Sequence, residues 1–303
     1  MGYYQGPAGP IPGMSLEPVA ECEGVAAVDV PMFGMEQVTS PYIVDAPEPA
    51  IVDTGPANGA DAILDALDEL GIARADVSYI IPTHAHLDHA GSAGELASAC
   101  ENATVVCHRR GVEYLTDEAK LDHLTESVER AIGMPEPYGV PTVLDRARCR
   151  VVEGGETIDL GDRILDVIDA PGHAPHQCCL YDRRTGGLFT ADAAGMNFPG
   201  SDHRPTTPPP DFDLEAALET IDDLLAVEPE RLLYAHFGAG EPGGARAELR
   251  RYREMLPAYV EEIDRARERH GSDVGAVTAE LQQEWGHWSL STDVAGVLRY
   301  LES

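Results

Sequence analysis

His84-Ala85-His86-Leu87-Asp88-His89 sets four side chains able to ligate a metal within six residues, directly after the buried-type apolar run 77–81 and Pro82-Thr83. Those four groups aim at one point only if the backbone turns, so the motif predicts a strand that ends here and a loop that folds its side chains inward. Imidazole and carboxylate together suit zinc, iron or manganese better than calcium or magnesium, which favour shells of oxygen. A lone histidine is more often a surface or hydrogen-bonded residue. Burying several such groups without a metal or mutual pairing is costly, so four together point to a metal centre.

Upstream of the motif, residues 25–30, 37–44 and 50–52 are short β-favouring runs broken by proline, closed by the turn Asp53-Thr54-Gly55-Pro56. A helix follows, with Asn58 as its cap, Ile63, Leu64, Leu67 and Leu70 as its apolar stripe, and Gly71 as its left-handed stop. Downstream, residues 92–99 read as a short helix and 104–107 as another strand. The segment 108–142 is more polar and less periodic, which predicts loops and a helix lying over the sheet, a frequent place for substrate-binding insertions.

From residue 150 the β signal returns in 151–152, 157–160, 164–168, 177–181 and 187–190, with turns at Gly154-Gly155 and Gly161-Asp162, and reads as an antiparallel meander. The Pro-rich stretch 198–210 is a long loop, Leu214, Leu218, Ile221, Leu224 and Leu225 mark a helix, and 231–234 a strand. Beyond Ala245 the chain is mainly helical, with Leu249, Tyr252, Leu256, Val260 and Ile263 on one face and a kink expected at Pro257. Residues 1–24, rich in Gly and Pro, read as an extended arm, 25–240 as an α/β catalytic domain, and 241–303 as a helical extension packed on it. Strand-rich segments in both halves allow two packed sheets with helices outside.

The 303 residues carry 53 acidic against 21 basic side chains, a formal charge of -32. A surface that negative repels phosphate backbones and anionic lipid, which argues against nucleic-acid and membrane partners. No stretch approaches the roughly 20 apolar residues that span a bilayer, and the N-terminus lacks a basic segment followed by an apolar one, so the expected location is cytoplasmic. Cys22, Cys100, Cys107, Cys149, Cys178 and Cys179 show no CxxC spacing and read as free thiols, mostly buried. In a strand, the adjacent Cys178 and Cys179 point to opposite faces. Lys120 is the single lysine beside twenty arginines, and with the acidic excess this composition resembles that of proteins from salt-loving organisms.

The motif His84, His86, Asp88, His89 resembles the HxHxDH signature of the metallo-β-lactamase superfamily, and four later or earlier elements match in order. These are Asp53 in Ile51-Val52-Asp53-Thr54-Gly55, His173 in Pro171-Gly172-His173, Asp192 after Leu188-Phe189-Thr190-Ala191, and His236 after Leu232-Leu233-Tyr234-Ala235. The resemblance implies an αββα sandwich of two packed mixed β-sheets with outer helices. It further implies that His84, His86 and His173 bind one metal, that Asp88, His89 and His236 bind a second, and that Asp192 bridges them. In that arrangement two zinc ions, or iron or manganese, acidify a bridging water that attacks as hydroxide, while Asp88 shuttles a proton. Asp53 would orient a histidine ligand, with plain turn chemistry as the competing reading. Many relatives carry a second histidine four residues after the one matched by His173; here His176 stands three residues on, as in a glyoxalase-II-like subgroup of single-domain hydrolases. His176 either lines the pocket or shapes the turn. His108, ending a strand, is read as pointing to the same mouth and touching substrate; His123, His203, His270 and His287 read as helix or loop surface, with His203 in the Pro-rich loop the one of these expected nearest the site, and Tyr138, Met196 and Phe198 as candidate pocket walls.

The function implied is a binuclear zinc hydrolase of a small thioester, lactone or other ester. The alternatives are a mononuclear iron sulfur dioxygenase of the same fold, similar to persulfide dioxygenases, and a non-catalytic metal-binding member. A flavodiiron protein is disfavoured by His86 where those proteins use Glu. A secreted β-lactamase is disfavoured by Asp192 where those enzymes use Cys, and an RNA-processing nuclease by the charge of -32. The partner is a small molecule, and the C-terminal helices either cover the pocket or form a homodimer contact.

Overall fold

In this computed structural model the structure describes residues 16–200 and 203–303. The first sheet takes its strands from β1 (Leu16–Pro18), β2 (Val25–Val28), β5 (Tyr42–Val44), β6 (Ala50–Val52), β7 (Tyr79–Ile81), β8 (Thr104–His108) and β9 (Cys149–Val152), in the order β1-β2-β5-β6-β7-β8-β9. The second runs β10 (Thr157–Asp159), β11 (Ile164–Asp169), β12 (Cys178–Asp182), β13 (Gly187–Ala191) and β14 (Arg231–Tyr234), in sequence order. Both sheets are mixed: β6 to β9 pair in parallel, as do β13 and β14, and the other pairings within these sheets are antiparallel. A separate hairpin joins β3 (Val30–Met32) to β4 (Met35–Thr39).

Side-chain alternation along each strand builds the layers. Ala50 and Val52 face the second sheet while Ile51 faces outward; Val106 faces in and Val105 out; Phe189 faces in and Leu188 out. Cys178 lies in the core between the sheets and Cys179 in the outer one, so the two thiols do point to opposite faces and both are free and buried. The outer face of the first sheet is covered by α1 (Ala60–Leu70) and α3 (Ala93–Ala99), through fully buried Ile63, Leu67 and Leu96. Each such side chain contributes roughly 1.5–3 kcal/mol of burial. The outer face of the second sheet is covered by α6 (Leu214–Ala226), α7 (Ala245–His270), α8 (Val274–Trp285) and α9 (Leu290–Tyr300). The architecture is the αββα sandwich.

Three local expectations are corrected. Residues 151–152 belong to β9, which pairs in parallel with β8 in the first sheet, so the meander starts only at Thr157. Asn58 does not cap α1: it sits in a 3₁₀ turn (Ala57–Gly59) and Gly59 holds the cap position, while Gly71 is left-handed as expected. Pro257 lies inside a single continuous helix, α7. Of the expected arm, residues 1–15 lie outside the described residues; Leu16–Pro18 pairs with β2 at the sheet edge. No helix among the described residues is long and apolar enough to cross a membrane.

Candidate metal centre

Parallel pairing brings the ends of β6, β7 and β8 to one rim of the first sheet, and parallel β13 and β14 end at the matching rim of the second. The loops after β6, β7, β13 and β14 carry Asp53, the 84–89 motif, Asp192 and His236, and the loop after β11 carries His173. Two backbone features aim them. Ala191 takes a left-handed φ of 48°, turning the chain so that Asp192 points inward. Gly172, at φ 120°, has Ala217 so close that a Cβ would stand 2.4 Å from its backbone, so only glycine sets His173 against the start of α6. His86 precedes α2 (Leu87–Ala90), the short helix that brings Asp88 and His89 round. The His236 loop is fastened across the sandwich: Ser40 Oγ donates to the Tyr234 carbonyl at 2.7 Å and receives the Gly238 N–H at 2.8 Å.

Three groupings of ligand atoms result, each with its members mutually within 4.8 Å: His84, His86 and His173; His84, His89 and Asp192; Asp88, His89 and His236. His86 Nδ1 lies 3.0 Å from Nε2 of both His84 and His173. Asp192 Oδ2 is 3.1 Å from His173 Nε2 and 3.4 Å from His89 Nε2, and its Oδ1 is 3.6 Å from His236 Nε2. Asp88 Oδ2 lies 3.7 Å from His236 Nε2 and 3.9 Å from His89 Nε2. Asp192 therefore stands between the other two groups.

In four of these rings, those of His84, His89, His173 and His236, the far nitrogen is occupied, which fixes their orientation. His236 Nδ1 faces the Val38 carbonyl at 2.8 Å, His173 Nδ1 the Thr206 carbonyl at 3.3 Å, and His84 Nδ1 the Thr83 hydroxyl at 3.2 Å. His89 Nδ1 faces Asp53 Oδ2 at 3.1 Å, while Asp53 Oδ1 accepts the N–H and hydroxyl of Thr83, both at 2.8 Å.

Burial, followed by the neighbouring imidazoles, holds His84 and His86 well below the ordinary histidine range. Burial also lowers His173 although Asp192 opposes it. For His89, burial is outweighed by the carboxylates of Asp192, Asp88 and Asp53, which hold it well above that range. Burial would raise Asp192, but His173, His89 and His236 together keep its carboxyl far below the usual carboxylate range. The centre thus sets the lone pairs of His84, His86 and His173 and the ionised Asp192 around one point, with His89 held there by the surrounding carboxylates in the way a cation would be. Asp192 Oδ1, fully buried, has no hydrogen-bond partner among the described residues. Such an arrangement of acceptors with an unsatisfied anionic oxygen is relieved by a cation, and the mixed nitrogen and oxygen donors fit a borderline divalent ion.

The centre forms the floor of a cavity of about 450 Å³, to which His86, Asp88, His173, Asp192 and His236 contribute. His176 lines the same cavity; its Nδ1 accepts the Ala85 N–H at 3.3 Å, and burial first, then His173 and His108, push the ring down to about 4. His108 is elsewhere: buried, with Nε2 3.3 Å from Asp169 Oδ1, it is not among the cavity-lining residues. Tyr138 and Met196 line the cavity, whereas Phe198 packs beside it on the cluster of Met32, Leu121 and Tyr138. His123, read as surface, is exposed but also lines the cavity.

Two walls are not named residue by residue in the sequence reading, although a helix is expected within 108–142. One is α5 (Glu118–Ile132), whose Leu124, Val128 and Ile132 are half-buried and face the cavity; their spacing with Leu121 was the available signal. The other is Trp288, in the link between α8 and α9, with its ring 6.0 Å from that of His236. A lone aromatic in a connector gives no periodic signal.

An αββα sandwich with histidine and aspartate clusters at the strand ends defines a metal-site protein built on two sheets. The family model of the metallo-β-lactamase superfamily matches residues 34–236, and the chain belongs to that superfamily. It is 32% identical over 266 residues to the metallo-β-lactamase fold-containing protein ST1585 of Sulfurisphaera tokodaii, covering 86% of this chain and 92% of that protein. The solved structure of the archaeal superfamily protein ST1585 from Sulfolobus tokodaii superposes with a TM-score of 0.67 at 25% identity, over 93% of this chain and 100% of that one. An N-acyl homoserine lactonase of a Bacillus species is 27% identical over 231 residues, 70% of this chain and 82% of that protein.

Proposed function

We propose that the protein is a binuclear, metal-dependent hydrolase of a small ester, lactone or thioester that carries an apolar limb. The observation that carries this reading is the convergence of seven ligand-type side chains, five of which line a cavity that Leu124, Val128, Ile132 and Trp288 also line. His84, His86 and His173 would hold one ion, Asp88, His89 and His236 the other, with Asp192 shared between them. Zinc is the metal that suits these donors best, with iron or manganese as alternatives. Two such ions, when bound, supply an acidified water and an electrophile for the substrate carbonyl.

The chain's own residues do the rest. Asp53, Val38, Thr83 and Thr206 hold the rings of His89, His236, His84 and His173 in register. Asp88 lies at the cavity floor, less deeply buried than Asp192, and its carboxylate is the group placed to pass a proton from the attacking water to the leaving oxygen or sulfur. Leu124, Val128, Ile132 and Trp288 exclude water and seat the apolar limb. The named activity of the Bacillus relative supports a lactone, and a glyoxalase-II-like resemblance supports a thioester.

The test is elemental analysis of purified protein, followed by turnover of a panel of lactones, thioesters and aryl esters with and without metal. Two ions per chain and metal-dependent hydrolysis are expected. One ferrous ion per chain with oxygen uptake on persulfide, or no hydrolysis by the metal-loaded protein across the panel, would overturn the reading.

A further inference from the structure

Asp293 sits near the start of α9, a helix of the C-terminal segment, yet its side chain is 3% exposed and lies against the cavity. A carboxylate so placed must be supplied with donors. Its Oδ2 receives the Ser289 hydroxyl at 2.7 Å and faces His287 Nε2 at 2.9 Å, and its Oδ1 receives the backbone N–H of Thr207. The Thr207 hydroxyl returns the contact by donating to the Asp293 carbonyl at 3.0 Å. One turn on, Gly296 allows the helix backbone to close against the same segment: a Cβ there would stand 1.8 Å from the Thr207 carbonyl oxygen.

The Thr207 N–H and the Thr206 carbonyl belong to one peptide plane. In a trans peptide these two groups point in opposite directions and cannot turn independently. Asp293 holds the N–H side of that plane, and the carbonyl side faces His173 Nδ1 at 3.3 Å. Thr206 reaches the centre a second way, since its hydroxyl donates to the Asp192 carbonyl at 2.8 Å. The carbonyl facing His173 fixes which ring nitrogen carries the proton, leaving Nε2 with its lone pair toward the other ligand groups.

We propose that α9 tunes the metal affinity of the centre, with Asp293 as a positioning residue that acts through the 206–207 peptide on His173 and Asp192. The inference rests on the reading of those two residues as metal ligands. It assigns the C-terminal helices a role beyond covering the cavity.

The test is chelator competition for zinc on the full-length protein, together with the absorption spectrum of the cobalt-substituted form, which reports ligand geometry. Removing a partner that orients a metal ligand typically lowers metal affinity about 10–100-fold. Asp293→Ala is expected to fall in that range and to alter the cobalt spectrum. Asp293→Asn keeps an acceptor for the Thr207 N–H without its charge, and the loss is expected to be smaller but measurable, because a neutral hydrogen bond is weaker. Thr206→Val should weaken binding while Thr206→Ser, which keeps the hydroxyl, restores it. Leu298→Ala, which loosens the buried face of α9 without touching the 206–207 peptide, should leave the cobalt spectrum unchanged. Should the Ala variant not fold, the Asn variant decides. Wild-type zinc affinity and cobalt spectrum in a folded Asp293 variant would overturn the proposal, as would the same spectral change in Leu298→Ala. If the wild-type protein takes up no metal, it is the reading of the centre that fails; if wild type and Asp293 variants bind metal equally, only the present inference fails.

Discussion

Asp53 Oδ2 lies 3.1 Å from His89 Nδ1 on the side of the ring away from the metal-ligand cluster, and the other Asp53 oxygen is held by Thr83. The carboxylate therefore selects the His89 tautomer whose Nε2 faces Asp88, Asp192 and His236. Asp53 also adopts φ 57°, a conformation that Asp and Asn tolerate better than most residues. Asp53→Asn thus changes the chemistry and spares the backbone. We expect metal affinity to fall about 10–100-fold at the ion that Asp88, His89 and His236 would hold. Isothermal titration with zinc checks this, and two equal sites in the variant would refute it.

The apolar wall makes a prediction about selectivity. Val128 is half-buried on the cavity side of α5, so trimming it to alanine removes the contact an apolar substrate limb would make there and leaves the histidine and aspartate clusters untouched. One or two methylenes of pocket contact are worth about 1–3 kcal/mol. Val128→Ala should therefore lower kcat/KM by about tenfold for esters with a long alkyl chain and scarcely at all for acetyl esters. An equal loss on both would remove α5 from the binding site.

What the sequence made legible is what period and order encode. Alternation in 50–52, 105–106 and 188–189 sorts residues between the inner and outer layers, and Asp53 meets the 84–89 motif, and Asp192 meets His236, because β6 and β7, and β13 and β14, run in parallel. Where pairing is decided across a long crossover, local signals mislead. Val151 and Val152 read with the meander because Gly154-Gly155 follows them, but their partner is β8, more than 40 residues earlier. Side-chain direction at a strand end is equally hidden, so His108 reads as facing the mouth while its ring meets Asp169. His203 and His287 read as surface because a polar residue among prolines or between helices has no period to betray its burial, yet the first stacks on Tyr252 and the second pairs with Asp293.

His203 makes acid stability measurable away from the centre. Its ring is buried, Nε2 faces the Ala194 carbonyl, and burial first, then Arg251 and Arg204, push it down to about 4. An unfolded-chain histidine titrates near 6.5, so between that pH and about 4 the unfolded state binds a proton that the folded state refuses. The stabilisation is complete above pH 6.5 and is lost as the pH falls toward 4, by about 3 kcal/mol in total. His203→Gln, which keeps a neutral donor, should flatten that slope. Urea midpoints at pH 7.5 and 4.5 in the presence of chelator check it, and parallel losses in variant and wild type would refute it.

Charge sets the last expectation. With 53 acidic and 21 basic side chains, surface ion pairs such as Arg253 with Asp222 at 2.6 Å leave a formal charge of -32 unneutralised. Salt weakens exposed pairs, each worth roughly 0–1 kcal/mol, and it also weakens the repulsion summed over a net charge of -32. The screening length falls from about 10 Å at 0.1 M to about 3 Å at 1 M, so the long-range repulsive sum is cut more deeply than the close pairs. The unfolding midpoint should therefore rise between low and molar KCl. Potassium chloride is a better choice than a sulfate, because sulfate also strengthens apolar burial and would raise the midpoint of any protein. A flat or falling midpoint in KCl would show that the close pairs dominate, and the composition would then carry no adaptation to salt.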